Sequence, residues 1–171
     1  FALKFSVFDG SRWAPARTIR AGRDHFVNWA DFPSIAVLGK NHLAAHWLQK
    51  TGKSSYAYSV RISQSRDGGA TWSAATQPHP DSSEQEHGFL ALWRDGSQLG
   101  AAWLDGRKYA KSAAGHDGHS AANEMTVVST TLDASGKRGR EVMLDARACD
   151  CCQTSGAMTA NGPIVAYRDR S

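Results

Sequence analysis

The sequence predicts an all-β protein whose antiparallel sheets recur along the chain like the blades of a β-propeller. Three observations carry this reading. The stretch SRDGGATWS, Ser65 to Ser73, has the chemistry of a hairpin tip: Asp67 can accept bonds from amides two residues on, and Gly68 and Gly69 tolerate positive backbone angles. Six tryptophans and sixteen glycines against five prolines fit sheets with bulky packing residues and many tight turns. Finally, one strand-turn-strand unit recurs three times.

The repeated units set the order of elements. FPSIAVLGKNHLAAHWLQK from Phe32, GFLALWRDGSQLGAAWLDGR from Gly88 and SGAMTANGPIVAYRDRS from Ser155 each give an apolar strand, a turn with Gly, and a second strand ending near an aromatic. Those aromatics, Trp47, Trp103 and Tyr167, lie 56 residues (47 to 103) and 64 residues (103 to 167) apart. After the first unit, Tyr56, Tyr58, Val60 and Ile62 alternate with small or polar residues, then comes the Asp67 turn and a strand opened by Trp72. After the second, Met125, Val127 and Val128 precede a turn at Asp133 to Gly136, followed by Val142 and Leu144. Upstream, KFSVFDGSRWAPARTI gives a strand, an Asp9-Gly10 turn and Trp13. Each full repeat is expected to hold four strands, with an aspartate turn between the third and fourth. The blade pieces fall at about 1–22, 26–80, 86–145 and 150–171 of a single partial propeller domain, 1–171.

Ser65, Asp67, Gly69, Thr71 and Trp72 match the pattern Ser-x-Asp-x-Gly-x-Thr-Trp, and on these residues the chain resembles the sialidase (neuraminidase) superfamily, with its Asp-box or bacterial neuraminidase repeat. The resemblance implies a six-bladed propeller, of which this chain supplies two whole blades and parts of two others. It also implies that the rest of the ring is this chain's structural partner. In the box the aspartate and hydroxyls tie the hairpin, the glycines make its turn and the tryptophan packs into the sheet, so its role is structural.

Strand direction then sorts the residues onto two faces. The Asp67 turn lies on one; the connections His25 to Pro33, His79 to Phe89 and Leu144 to Thr154 lie on the other, together with the segments following Trp47, Trp103 and Tyr167. Convergent polar loops of this kind are ligand-site candidates. The resemblance implies an exo-alpha-sialidase type of glycoside hydrolase that binds an anionic sugar in the central pocket: arginines fork onto the substrate carboxylate, a carboxylic acid protonates the leaving oxygen, and a tyrosine paired with a glutamate attacks. Asp105, Asp31 and Glu86 are the candidate catalytic carboxylates. Arg168, Arg107, Arg170 and His87 are the candidate substrate-binding residues. Ion pairs such as Asp105 with Arg107 or Asp169 with Arg170 are the alternative. The family's arginine segment has no counterpart here, since Ala30-Asp31-Phe32-Pro33 stands in a similar place with aspartate, and the nucleophilic pair is expected beyond Ser171. A non-catalytic propeller that binds carbohydrate or protein is the rival reading.

Composition narrows the classes further. With 41% hydrophobic and 21% charged residues the chain reads as globular, and no apolar run is long enough for a membrane span. The net charge of +4 comes from dispersed Lys and Arg, without a basic run or nucleic-acid motif. No cofactor is expected. Cys149, Cys151 and Cys152 form CDCC at a strand entrance, where adjacent residues of an extended strand would point to opposite sides. A disulfide, and with it a periplasmic or extracellular location, is the favoured reading. Free thiols and a soft-metal site with His87 or His116, in a metal- or redox-dependent propeller, stay open. GHDGHS, Gly115 to Ser120, reads as a loop over the pocket. Both ends lie in or beside strands, so a piece with exposed blade edges is expected to aggregate on its own.

Overall fold

A computed structural model describes residues 1–111 and 124–170 of the 171-residue chain; GHDGHS and His116 lie outside the described residues. Eleven strands are described: β1 (Ala2–Phe5), β2 (Arg17–Ala21), β3 (Ser34–Val37), β4 (Leu43–Lys50), β5 (Tyr58–Ser65), β6 (His87–Asp95), β7 (Gln98–Asp105), β8 (Met125–Leu132), β9 (Val142–Ala148), β10 (Ser155–Thr159) and β11 (Gly162–Ala166). A 3-10 turn at Arg107–Lys111 follows β7. Among the described residues every strand pairing is antiparallel between consecutive strands, giving four sheets: β1-β2, β3-β4-β5, β6-β7-β8-β9 and β10-β11.

The sheet β6-β7-β8-β9 has the four strands expected of a unit. The preceding sheet has three, and its fourth shrinks to a bridge between Ile62 and Thr76, held by reciprocal backbone bonds of 2.8 and 2.9 Å. Pro78 and Pro80 follow at once, and proline has no amide to continue a ladder.

Successive sheets stack face to face, which is why the inner strands are apolar on both sides. Tyr58, Val60 and Ile62 of β5 share one core with Leu90, Leu99, Trp103 and Val128 of the next sheet. The opposite face of that sheet buries Phe89, Leu104, Met125 and Val127 with Ala148 and the partly buried Tyr167. Tyr56, read from the sequence as part of the alternating strand, lies outside β5 and is 46% exposed.

The Asp-box is assembled as a closed set of local bonds. Ser65 Oγ and the Thr71 amide donate to Asp67 Oδ1 at 2.8 and 2.9 Å, Thr71 Oγ1 donates to Oδ2, and the Gly69 amide donates to Ser65 Oγ at 2.8 Å. These bonds hold the Asp67 carboxylate well below the usual range, the Thr71 hydroxyl contributing most. Gly68 and Gly69 have φ of 68° and 84°, and a Cβ on Gly69 would meet the Phe5 ring at 2.3 Å. Trp72 packs edge-on against Phe5, with centroids 5.9 Å apart, so the box joins its own sheet to β1. Asp9 and Asp133 bind turn amides in the same way, and Gln64 Nε2 donates to the Asp133 carbonyl at 2.8 Å.

Candidate functional site

Strand alternation places the aspartate turns at one end of the sheets and the candidate site residues at the other. Asp31 precedes β3, Tyr58 starts β5, Glu86 precedes β6, Asp105 ends β7, the cysteines precede β10 and Arg168 follows β11. Three groups of side chains form at this end, around Glu86, around Asp105 and around the cysteines.

The first group is buried. The Tyr58 hydroxyl donates to Glu86 Oε1, and the Tyr58 ring stacks on Phe26 with centroids 3.9 Å apart. Asp31 Oδ2 accepts from the Phe89 amide at 2.8 Å. That contact needs two backbone features. Phe89 adopts a φ of 53°, rare for a bulky residue, at a ladder irregularity between Gly88 and Ala91; at Gly88 a Cβ would lie 2.1 Å from Asp31 Oδ2. The other Asp31 oxygen is buried without a hydrogen-bond partner among the described residues, and Asp31 lines a cavity of about 200 Å³ with His25, Phe26, Asn28 and Trp47.

Both carboxyls in this group bind their protons tightly. Burial pushes Glu86 up to about 8, against the Tyr58 hydroxyl, with the Asp31 charge adding to the rise. Burial likewise raises Asp31 to about 7, offset in part by the Phe89 amide and the Tyr58 hydroxyl. Tyr58 itself is pushed well above the usual phenol range, first by burial and then by Glu86 and Asp31.

Asp105 belongs to the second group, which is saturated with partners. Arg107 donates from Nε to Asp105 Oδ1 at 2.7 Å and from Nη2 to Oδ2 at 2.5 Å, while Trp103 Nε1 donates to Oδ2 at 2.8 Å. The same guanidinium holds both Glu141 oxygens at 3.0 Å. Burial alone would raise Asp105, but Arg107, His87 and Trp103 outweigh it and keep the carboxylate below its ordinary value. His87 is fully buried, stacked on His79 at 3.9 Å, with Nε2 3.1 Å from Asp81 Oδ2 and 3.6 Å from Asp105 Oδ1. Its neighbour His79 donates from Nδ1 to the Asp81 carbonyl and accepts at Nε2 from Ser59 Oγ, 2.8 Å away.

The third group holds the cysteines and the remaining arginines. All three thiols are free, with Sγ separations of 3.3 Å (149 to 151), 3.7 Å (149 to 152) and 3.9 Å (151 to 152). No disulfide joins the three to one another. The opposed directions expected of Cys151 and Cys152 are not found either, because Asp150 and Cys151 form a turn rather than extended strand. Arg168 is exposed and donates from Nη1 to Cys152 Sγ at 3.6 Å, and Arg170 reaches Asp150 Oδ2 at 3.4 Å.

The three candidate arginines thus have separate partners: two carboxylates for Arg107, a thiol for Arg168 and one carboxylate for Arg170. His87 lies with Asp81 and Asp105 rather than with the cysteines. Sequence reasoning missed Tyr58, His79, Asp81, Gly88 and Glu141. Tyr58 reads as one more apolar position of an alternating strand, and only its approach to Glu86, 28 residues on, gives it a polar task.

Comparison with known proteins supports the architecture. A solved structure, Trypanosoma rangeli sialidase, aligns over 98% of this chain with a TM-score of 0.52 and 16% identity. The chain spans 29% of that protein's length. The likeness shows a sialidase-like β fold. No protein-family model and no curated protein matches the sequence. Among the described residues, no helix is long and apolar enough to cross a membrane.

Proposed function

We propose that this chain forms part of a sialidase-like glycoside hydrolase whose sugar site is built around Asp31, Tyr58 and Glu86. The observation that carries the reading is the pair of buried carboxyls at the loop end of the sheets, raised to about 7 and about 8, one of them lining a cavity with an unpartnered oxygen. Glycoside hydrolysis requires a carboxylic acid that still holds its proton near neutral pH, to give it to the departing oxygen. Glu86 and Asp31 meet that requirement; Asp105, ionised and locked by Arg107, is suited to holding structure instead. The sialidase-like fold supports the reaction class by analogy.

The experiment is turnover of a fluorogenic sialoside by the intact protein, beside Asp31→Asn and Glu86→Gln. Loss of the proton donor lowers kcat by about 10²–10⁴-fold. Unchanged kcat in both folded variants would remove this assignment. A second reading, a propeller that binds carbohydrate or protein without cleaving it, is favoured by one observation: Arg107 already spends its guanidinium on Asp105 and Glu141. Sugar binding without turnover by the intact protein supports that alternative.

A further inference from the structure

We propose that Cys149, Cys151 and Cys152 form a three-thiolate site for a single soft monovalent metal ion, Cu(I). The three sulfurs lie mutually 3.3 to 3.9 Å apart, and no fourth His, Cys, Asp or Glu joins them among the described residues. The point equidistant from all three lies about 2.1 Å from each, within the tolerance of a metal-thiolate bond of roughly 2.3 Å. One ion seated slightly out of the sulfur plane therefore satisfies all three bonds without backbone movement.

The loop that carries the thiols is anchored at both ends, as a preformed site requires. At its start the Cys149 amide donates to the Arg168 carbonyl at 2.9 Å, and Ala148 bridges to Asp169. At its end Gln153 Nε2 donates to the Leu90 carbonyl at 3.0 Å and Thr154 Oγ1 to the Phe89 carbonyl at 2.5 Å. Between these anchors the turn at Asp150 and Cys151 brings side chains together that an extended strand would separate. Cys149 is buried and Cys151 exposed, so the site has a protected floor and an open approach.

The donor set selects the metal. Thiolates favour Cu(I), zinc and iron-sulfur clusters over harder ions. Structural zinc sites are almost always closed by four protein ligands, and clusters use four cysteines, whereas three sulfurs are available here. Cu(I) with three thiolates carries a net charge of −2, and the Arg168 guanidinium on Cys152 offsets part of it from the outer shell.

The three sulfurs are distinct from the Asp31, Tyr58 and Glu86 side chains, and the test reads metal binding rather than turnover. The intact protein, reduced and kept free of oxygen, is titrated with Cu(I) against a chromogenic competing chelator, and the loaded protein is read by X-ray absorption. One Cu(I) per chain with three sulfur neighbours is expected. Cys151→Ser, at an exposed position, is expected to weaken binding by more than 100-fold, beyond the roughly 10–100-fold loss caused by removing an outer-shell partner. Arg168→Ala is expected to fall within that smaller range. Failure to take Cu(I) from the chelator, fewer than three sulfurs around the metal, tighter retention of Zn(II) than Cu(I), or Cys151→Ser binding like the parent would each overturn the proposal.

Discussion

Tyr58 donates its hydroxyl to Glu86 across 28 residues of sequence, joining the first residue of β5 to the residue that precedes β6. Both groups are buried, and burial raises both above their ordinary pKa ranges. The bond therefore links two adjacent sheets through a carboxyl that keeps its proton near neutrality.

The raised Glu86 gives stability a definite pH dependence. Between the ordinary carboxyl value and about 8 the folded protein binds a proton that the unfolded chain releases, so stability is greatest on the acid side and falls as pH rises through this window. Asp31, raised to about 7, adds the same sign. Urea midpoints should fall between about pH 6.5, where the buried histidines no longer contribute a slope, and about pH 9, with a shallower fall in Glu86→Gln. A parent protein whose midpoint rises with pH across that range would contradict the buried, protonated pair.

His79 acts in the opposite direction at lower pH. Burial, followed by the neighbouring His87, depresses it to about 3, so its contribution is complete above the unfolded value near 6.5 and is lost as pH falls. His46, fully buried and depressed to about 3 by the same cause, behaves alike. The stability curve should therefore bend downward below about pH 6, and His79→Asn should reduce the bend. Equilibrium unfolding at a series of acidic pH values measures this directly.

Breaking the Asp105 network should be costly because the carboxylate is fully buried and the Arg107 side chain partly so. Asp105→Asn leaves Arg107 with Glu141 alone and weakens the Trp103 contact, an expected loss of about 2–4 kcal/mol. Trp103→Ala, which empties the centre of the larger core, should cost about 3–5 kcal/mol. Denaturant unfolding checks both, and a Trp103→Ala loss under about 1 kcal/mol would mean that the stacked sheets do not share that core.

Gly69→Ala tests the Asp-box as a joint between sheets. The positive φ disfavours any side chain, and the new methyl must displace the Phe5 ring. A loss of about 1–2 kcal/mol is expected, with altered near-ultraviolet signal from Trp72 against Phe5. Gly96→Ala is the control, since a Cβ there meets nothing within 4 Å while φ is also positive; the difference between the two isolates the contact with Phe5.

The sequence alone determined most of the strands, their antiparallel order, the aspartate turns and the end of the sheets at which the site residues collect. Each of these follows from local chemistry: a side-chain period of two along β5, positive φ at Gly68 and Gly69, and an aspartate that binds the amides just after it. Only the tertiary structure decided which groups act together. It paired Tyr58 with Glu86, brought Glu141 to the Asp105–Arg107 pair, and turned the Cys149 to Cys152 segment so that three sulfurs face one point. Those outcomes depend on how one sheet stacks on the next and on where a loop is anchored. Contacts between residues dozens of positions apart leave no period, spacing or turn signal in the chain that makes them.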